Sequence, residues 1–306
     1  MLIPMQEELE LPSELAARIC EQEPLARHTT FRIGGPADLF LRVDTRDELI
    51  EAVAAARASG LPWFILGNGS NILVADSGIR GLVIENHADE YGTREEGDRL
   101  VLAAESGASL PGLANRLARQ GWSGLEWAIG VPSTIGAAVV GNAGAHGSSI
   151  SANLSRGEVL GATGEVEWWP NEAFEFAYRS SRLKKKPGSG VVLQAEFVLS
   201  HDDPAACIAR MSKYTEHRRR TQPTDPSVGS MFKNPPGDYA GRLIEAAGLK
   251  GTRIGRVEVS LVHANFFVNH GGASAAQVVE LVDLVRRRVR EEFGVDLELE
   301  IQAVGG

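Results

Sequence analysis

Four stretches of this 306-residue chain carry residue types that can do chemistry at fixed spacing. The first is Trp63-Phe64-Ile65-Leu66-Gly67-Asn68-Gly69-Ser70-Asn71-Ile72-Leu73-Val74: an apolar run, a small polar loop with two glycines, then a second apolar run. Gly67 and Gly69 tolerate positive φ, so successive N–H groups there can face one concavity and hold a phosphate or diphosphate. An ordinary tight turn would carry the same letters. A helix-opening dinucleotide fingerprint would need a third glycine at Ile72 and an amphipathic helix behind it, and the chain has neither.

The second stretch, Gly124 to Gly147, holds six glycines and almost no charge. So little side-chain volume invites something large against the backbone, either a flat ligand touched by the amides of Ile135 and Gly136 or a closely packed helix and sheet. The third is the basic cluster Phe176 to Lys186 in an otherwise acidic protein, which a solvated face would also explain. The fourth pairs Gly229-Ser230-Met231-Phe232-Lys233-Asn234-Pro235 with the closing run Asp296-Leu297-Glu298-Leu299-Glu300-Ile301, where one face is apolar and the other holds carboxylates. For Glu298 and Glu300 a solvated edge is the plain reading.

A net charge of −9 opposes wholesale nucleic-acid binding, so an anion site has to be built locally. Cys20 and Cys207 form no C-x-x-C pair and read as reduced core thiols of a cytoplasmic protein, with no disulfide and no metal site. No apolar run reaches the ~20 residues of a membrane helix, and Met1 to Pro12 is too acidic for a signal peptide.

These stretches must be positioned by an α+β framework. An acidic entry segment carries a short helix over Ser13 to Glu21. The strand Leu39 to Val43 follows, then a helix with a capping box at Thr45 and Glu48 that is stopped by Gly60 and Pro62. Strands at 63–66, 72–74 and 81–84 complete a first unit. A second unit begins with the strand Arg99 to Ala104 and a helix capped by Ser109, and continues through the hairpin of Glu158–Leu160 with Val166–Trp169 to the strand Val191 to Leu199. Asp203-Pro204 opens a helix ending in Arg218-Arg219-Arg220, and residues 221–227 read as a linker. Beyond it come a helix from Tyr239 to Ala247 capped by Asp238, the strand Ala264 to Asn269, and a long helix with a Ser274/Gln277 capping box.

Together the motifs resemble one family, the UDP-N-acetylenolpyruvoylglucosamine reductases of bacterial peptidoglycan synthesis. The matching segments are H-T-T-F-R-I-G-G-P-A-D from His28, I-L-G-N-G-S-N-I-L-V-A-D from Ile65, and G-V-P-S-T-I-G-A-A-V-V-G-N-A-G-A-H-G from Gly130. Y-R-S-S at Tyr178, G-S-M-F-K-N-P at Gly229, G-L-K-G-T-R-I-G at Gly248, H-A-N-F-F-V-N at His263 and L-E-L-E-I at Leu297 continue in family order. With no tyrosine-bearing lid between Ser180 and Ser230, the chain resembles the shorter subclass.

The resemblance implies a two-domain FAD-binding clasp of the vanillyl-alcohol-oxidase/PCMH type plus a third α+β substrate domain. Residues 1–88 and 89–203 are the two FAD subdomains, 204–296 the substrate domain, and 297–306 a strand returning to the cleft. It further implies non-covalent FAD, with Gly67, Asn68, Gly69, Ser70 and Asn71 at the pyrophosphate and Val131, Pro132, Ser133, Ile135 and Gly136 at the ring. NADPH would donate hydride in a ping-pong reduction of an enolpyruvyl UDP-sugar. By match, Ser230 gives the proton, Arg179 neutralises the developing enolate and Glu300 orients or protonates the carboxylate. Tyr178, Lys233, Asn234 and His263 are expected to bind substrate, and the enzyme is expected to be monomeric.

Ser133 stands where the family usually has glycine, His146 where tyrosine is more usual, and Leu261-Val262 replaces a charged pair. An oxygen-using FAD oxidase of the same clasp would share the loop and the glycine-rich segment, but not Ser230, Lys233 and Glu300 arriving together. A non-catalytic nucleotide-binding regulator would not need Ser230, Arg179 and Glu300 intact.

Overall fold

The structure, a computed structural model, describes residues 9 to 306, so residues 1 to 8 of the expected acidic entry segment lie outside the described residues. Packing groups the chain into two compact units. One takes the chain to Ile19, Leu41–Gly67 and Ile84–Arg218; the other takes Cys20–Phe40, Asn68–Val83 and Arg219–Gly306. Division by chain order into 1–88, 89–203, 204–296 and 297–306 is a separate description and stays a proposal. Among the described residues no helix is long and apolar enough to cross a membrane.

The first unit is built on an antiparallel sheet. Its strands run in the order Val166–Pro170, Leu154–Gly161, Gly190–His201, Arg99–Glu105 and Tyr91–Glu96, with Trp122–Ser123 also paired to Gly190–His201. The expected hairpin forms in register, Glu158 opposite Trp168 and Leu160 opposite Val166. The helix Leu110–Arg119 buries Leu110, Leu113, Ala114 and Leu117 on the side their spacing dictates, and the Ser109 hydroxyl accepts the Gly112 N–H at 3.3 Å. The glycine-rich segment becomes the helix Ile135–Gly141, capped by Thr134 and ended by Asn142 in the left-handed region.

The second unit has its own core, in which Phe31, Ile33 and Leu73 join Met231, Phe232, Leu243, Phe267, Val278, Leu281 and Ile301. The long helix Ala275–Phe293 covers it, with both halves of the Ser274/Gln277 capping box formed. Asp76 adds a second cap, its two carboxylate oxygens accepting the N–H groups of Ala275 and Ala276 at 2.7 and 3.0 Å.

Several local expectations are corrected. The entry helix covers only Ser13–Ala16, and Cys20–Pro24 is a strand, because Phe40 to Pro36 offer it an antiparallel partner that local propensity cannot reveal. Cys20 is consequently exposed, whereas Cys207 is buried. At Thr45 only half the box forms: Thr45 accepts the Glu48 N–H, but the Glu48 carboxylate takes the Asp44 N–H instead. Asp238 binds the Tyr239 N–H while the helix starts at Ala240, whose N–H goes to Asn234 Oδ1 at 3.1 Å. The strand expected over 264–269 is confined to Phe267–Asn269, since Phe266 donates back to the His263 carbonyl in a turn. The closing strand is Gln302–Val304, parallel to Ile72–Val74; residues 297–301 run alongside the Ser230 segment through one bridge, Phe232 with Leu299.

Candidate active site

The second unit brings Ser230 and Glu300 onto neighbouring chains. Ser230 bridges Phe266, the Met231 N–H donates to the Asn265 carbonyl at 2.7 Å, and the Met231 carbonyl accepts the Glu300 N–H at 2.9 Å. One residue further, the Lys233 N–H donates to the Glu298 carbonyl at 2.8 Å and Lys233 Nζ reaches Glu298 Oε2 at 3.0 Å. The alternation read from 296–301 explains the arrangement: Leu297 and Ile301 enter the core, which turns the carboxylates of Glu298 and Glu300 the other way. Lys233 therefore has a counter-charge within the unit.

Sequence reasoning passed over Asn265, which holds this segment in place. Its side chain is 3% exposed and closes on both polar groups of Phe232, accepting the N–H at 2.9 Å and donating to the carbonyl at 2.8 Å. The available signal was an asparagine inside an apolar run, since a buried amide needs partners. The Asn265 N–H in turn donates to His263 Nδ1 at 3.2 Å. That fixes Nδ1 as acceptor and leaves Nε2 carrying the proton of a neutral ring. Burial, then the Lys250 charge, holds the His263 pKa below its ordinary value. Asn234 is partly engaged, its Oδ1 serving the helix Ala240–Ala246, so its amide N–H groups are what it can offer a ligand.

The anion loop spans the boundary of the two units, Gly67 in the first and Asn68 to Asn71 in the second. Gly69 has φ +57°, and a Cβ there would run into the His28 carbonyl oxygen, so the position accepts only glycine. A Cβ on Gly67 would sit 2.8 Å from Thr134 Oγ1, which ties the start of the loop to the Val131–Gly136 segment inside the first unit. Among the described residues the N–H groups of Asn68, Gly69, Ser70 and Asn71 donate to no other protein group. Neutral, small and rich in unused donors, with no carboxylate before Asp76, the loop fits a diphosphate.

In the glycine-rich segment the amides take the closely packed alternative. The N–H of Ile135 donates to the Ala108 carbonyl at 2.9 Å and that of Gly136 to the Ser106 carbonyl at 2.8 Å, so these amides are satisfied by protein. They lie at a helix N-terminus, where the first N–H groups have no partner within the helix and the 106–108 loop supplies one. Gly136 is small because the Ser106 side chain packs where a Cβ would be. Val131, Pro132 and Ser133 are the partly open residues of the segment, and Ser133 donates its hydroxyl to the Thr134 carbonyl at 3.0 Å.

Tyr178 and Arg179 form the tip of a tight turn closed by two hydrogen bonds between Ala177 and Ser180. Arg179 sits at φ +54°, a region non-glycine residues rarely occupy and one that recurs at functional sites. Two clamps hold the turn to the end of the helix Ile135–Gly141. Asn142 Nδ2 donates to the Ala177 carbonyl at 2.9 Å, and the Ser181 hydroxyl donates to the Val140 carbonyl at 2.6 Å. Lys184 Nζ also donates to the Arg179 carbonyl at 3.0 Å, so part of the basic cluster is structural rather than merely solvated. Tyr178 is 57% exposed.

Of the departures from the family pattern, His146 stacks on Tyr214 with ring centroids 4.1 Å apart, filling the aromatic position. Burial, then the nearby charges of His217 and Arg218, lower its pKa. Leu261 and Val262 are exposed apolar residues beside His263.

Residues 37–169 match the FAD binding domain family, and residues 222–304 match the C-terminal domain of UDP-N-acetylenolpyruvoylglucosamine reductase. A cholesterol oxidase from B. sterolicum, 12% identical and superposed over 65% of this chain and 40% of its own at a TM-score of 0.50, shares the fold alone. The chain is thus a flavoprotein oxidoreductase of the α+β FAD-binding class to which the PCMH-type oxidases belong. The UDP-N-acetylenolpyruvoylglucosamine reductase of Chloroflexus aggregans is 44% identical over 285 residues, 92% of this chain and 96% of that protein. The crystal structure of the Thermus caldophilus reductase is 37% identical and superposes with a TM-score of 0.79 over 94% of this chain and 98% of its own. The chain belongs to the UDP-N-acetylenolpyruvoylglucosamine reductase family.

Proposed function

We propose that this reductase converts UDP-N-acetylglucosamine enolpyruvate to UDP-N-acetylmuramate with NADPH as hydride source, in two half-reactions of ping-pong order, with Ser230 as proton donor. When bound, FAD would supply the two-electron chemistry that links NADPH to reduction of the enolpyruvyl double bond. The loop Gly67 to Asn71 would hold its diphosphate through the unused N–H groups, and Val131, Pro132, Ser133, Ile135 and Gly136 would flank its ring.

Hydride addition to the alkene carbon one removed from the carboxylate leaves an enolate-like anion on the carboxylate-bearing carbon of the substrate. Arg179 would balance that charge where it develops, and Ser230 would pass its hydroxyl proton to the adjacent carbon. Glu300 would orient or protonate the substrate carboxylate, while Lys233, Asn234, His263 and Tyr178 hold the sugar nucleotide. His263, kept neutral with its proton on Nε2, is suited to donate to a carbonyl or phosphate oxygen without adding charge. The single observation that carries the reading is the bond between the Glu300 N–H and the Met231 carbonyl. It aligns the chain of the candidate acid with that of the candidate proton donor. The same reading takes the protein as a cytoplasmic monomer with no nucleic-acid partner.

Anaerobic stopped-flow on the yellow holoenzyme tests it. NADPH should bleach the flavin without sugar nucleotide, and reoxidation should wait for the enolpyruvyl substrate. Ser230→Ala should spare the first phase and slow the second by orders of magnitude. Rapid reoxidation once air is admitted, indifferent to the sugar nucleotide, would instead identify an oxidase.

A further inference from the structure

Between the anion loop and the candidate catalytic pair lies a residue of the His28 motif to which neither the resemblance nor the proposed mechanism gives a role. Thr30 sits in the second unit, with its N–H donating to the Gly69 carbonyl at 3.2 Å and its hydroxyl to the Ser227 carbonyl at 2.7 Å. One residue thus grips the loop with its backbone and the approach to Ser230 with its side chain. Ser227 is followed by Val228, locked in the core at 2% exposure, and by Gly229, at φ +78° with open space around its Cα. Behind Ser227, the Pro226 carbonyl accepts the Asn269 N–H at 2.9 Å. The segment entering Ser230 therefore has two backbone anchors, of which the Thr30 hydroxyl is the nearer, and one compliant joint, Gly229.

The other end of the loop is tied in the same manner. The Asn71 carbonyl accepts the Gln302 N–H at 3.0 Å, and Asn71 Nδ2 donates to the Glu300 carbonyl at 3.3 Å. The loop is thus hydrogen-bonded, directly or through Thr30, to both catalytic chains, so a displacement of it bears on each. Conversely, a ligand that orders the loop orders the pair.

We propose that Thr30 is a positioning residue that transmits the state of the anion loop to Ser230, so that diphosphate binding at Asn68 to Asn71 and placement of the Ser230 hydroxyl are one coupled equilibrium. The proposal rests on the reading of Ser230 as proton donor. It assigns Thr30 no contact with substrate or cofactor. Its hydroxyl is the adjustable element, because valine has the same shape and no donor, whereas serine keeps the donor.

The test compares wild type, Thr30→Val and Thr30→Ser holoenzymes in the two half-reactions. It adds hydrogen exchange at the amides of Met231 and Glu300 measured with and without FAD. Thr30→Val should slow substrate-dependent reoxidation roughly three- to tenfold, the value of one neutral hydrogen bond, and change reduction by NADPH by less than about twofold. Thr30→Ser should restore the rate. In wild type FAD should increase protection at Met231 and Glu300, and in Thr30→Val that increase should shrink. Should valine prevent folding, Thr30→Cys, a much weaker donor, carries the same expectation. Equal slowing of both half-reactions, failure of serine to restore the rate, or an unchanged FAD-dependent protection in the valine protein would overturn the proposal. If Ser230→Ala leaves reoxidation untouched, the proton-donor reading fails by itself, while the exchange data still decide whether Thr30 couples the loop to this segment.

Discussion

The N–H of Glu300 donates to the carbonyl oxygen of Met231 at 2.9 Å, and the Glu300 carbonyl accepts from Asn71 at 3.3 Å. Both peptide groups of the residue are therefore anchored independently of its side chain. Glu300→Gln should leave thermal unfolding within about 0.5 kcal/mol of wild type, the ordinary range for a side chain outside the core. It should retain reduction by NADPH and slow reoxidation by the sugar nucleotide. Loss of both half-reactions together would place the role of Glu300 in the fold instead.

Asn265 should matter for stability more than any catalytic residue. Asn265→Ala strands the buried N–H and carbonyl of Phe232 at once, each costing about 1–3 kcal/mol. Denaturant unfolding should show a loss of at least about 2 kcal/mol. A smaller loss would mean that water enters and replaces the amide.

Gly69→Ala should yield protein depleted of flavin. The added methyl must displace the backbone of His28 and adopt φ +57°, so the loop cannot keep its donors aligned. Flavin content of purified protein, read from its visible absorbance, checks this. Full occupancy would show that the loop does not hold the cofactor.

Glu126 couples stability to acid. Burial pushes its pKa up, but the Gly124 N–H and the Arg210 guanidinium outweigh it, leaving the carboxyl below its ordinary 4.5. A depressed folded pKa contributes stability that is full above 4.5 and is lost as pH falls through the lower folded value. Arg210→Leu leaves the carboxylate buried without its cation; allowing for the partial exposure of Arg210, the cost should be about 2 kcal/mol at pH 7. It should shrink in acid, where Glu126 is protonated. Unfolding curves at pH 7 and in acid give the comparison.

His263 adds a second pH dependence of the same sign at higher pH. Its pKa is lowered by burial first, so the folded protein binds this proton less readily than the unfolded chain. Its contribution is complete above about 6.5 and declines as pH drops below that value. In proton NMR the His263 ring should titrate below 6.5, and His263→Gln should flatten stability between that pH and the folded pKa.

Much of this was legible in the chain itself, and the misses share a cause. The Ser109 cap, the Ser274/Gln277 box and the hairpin at Glu158 to Trp169 follow from interactions within a few residues, which local letters encode. Cys20 and Glu21 read as the end of a helix because the partner of their strand is not local. For Ile135 and Gly136 the ligand-facing and closely packed readings both stayed open because the acceptors of their amides sit in another loop, Ser106 to Ala108. Asp238 read as a cap because Asn234, four residues earlier, competes for the same helix start.

Alone, the sequence determined the residue types of the candidate chemistry, the neutral glycine-paired loop and the alternation that turns Glu298 and Glu300 away from Leu297 and Ile301. Only the tertiary structure decided that Thr30 meets Ser227 across 197 positions and that Asn71 meets Glu300 across 229. It likewise decided that Gln302–Val304 pairs in parallel with Ile72–Val74. Periodicity and capping report forces between near neighbours. A hydrogen bond between distant peptides depends on how the whole core closes, and no window of the chain contains both of its ends.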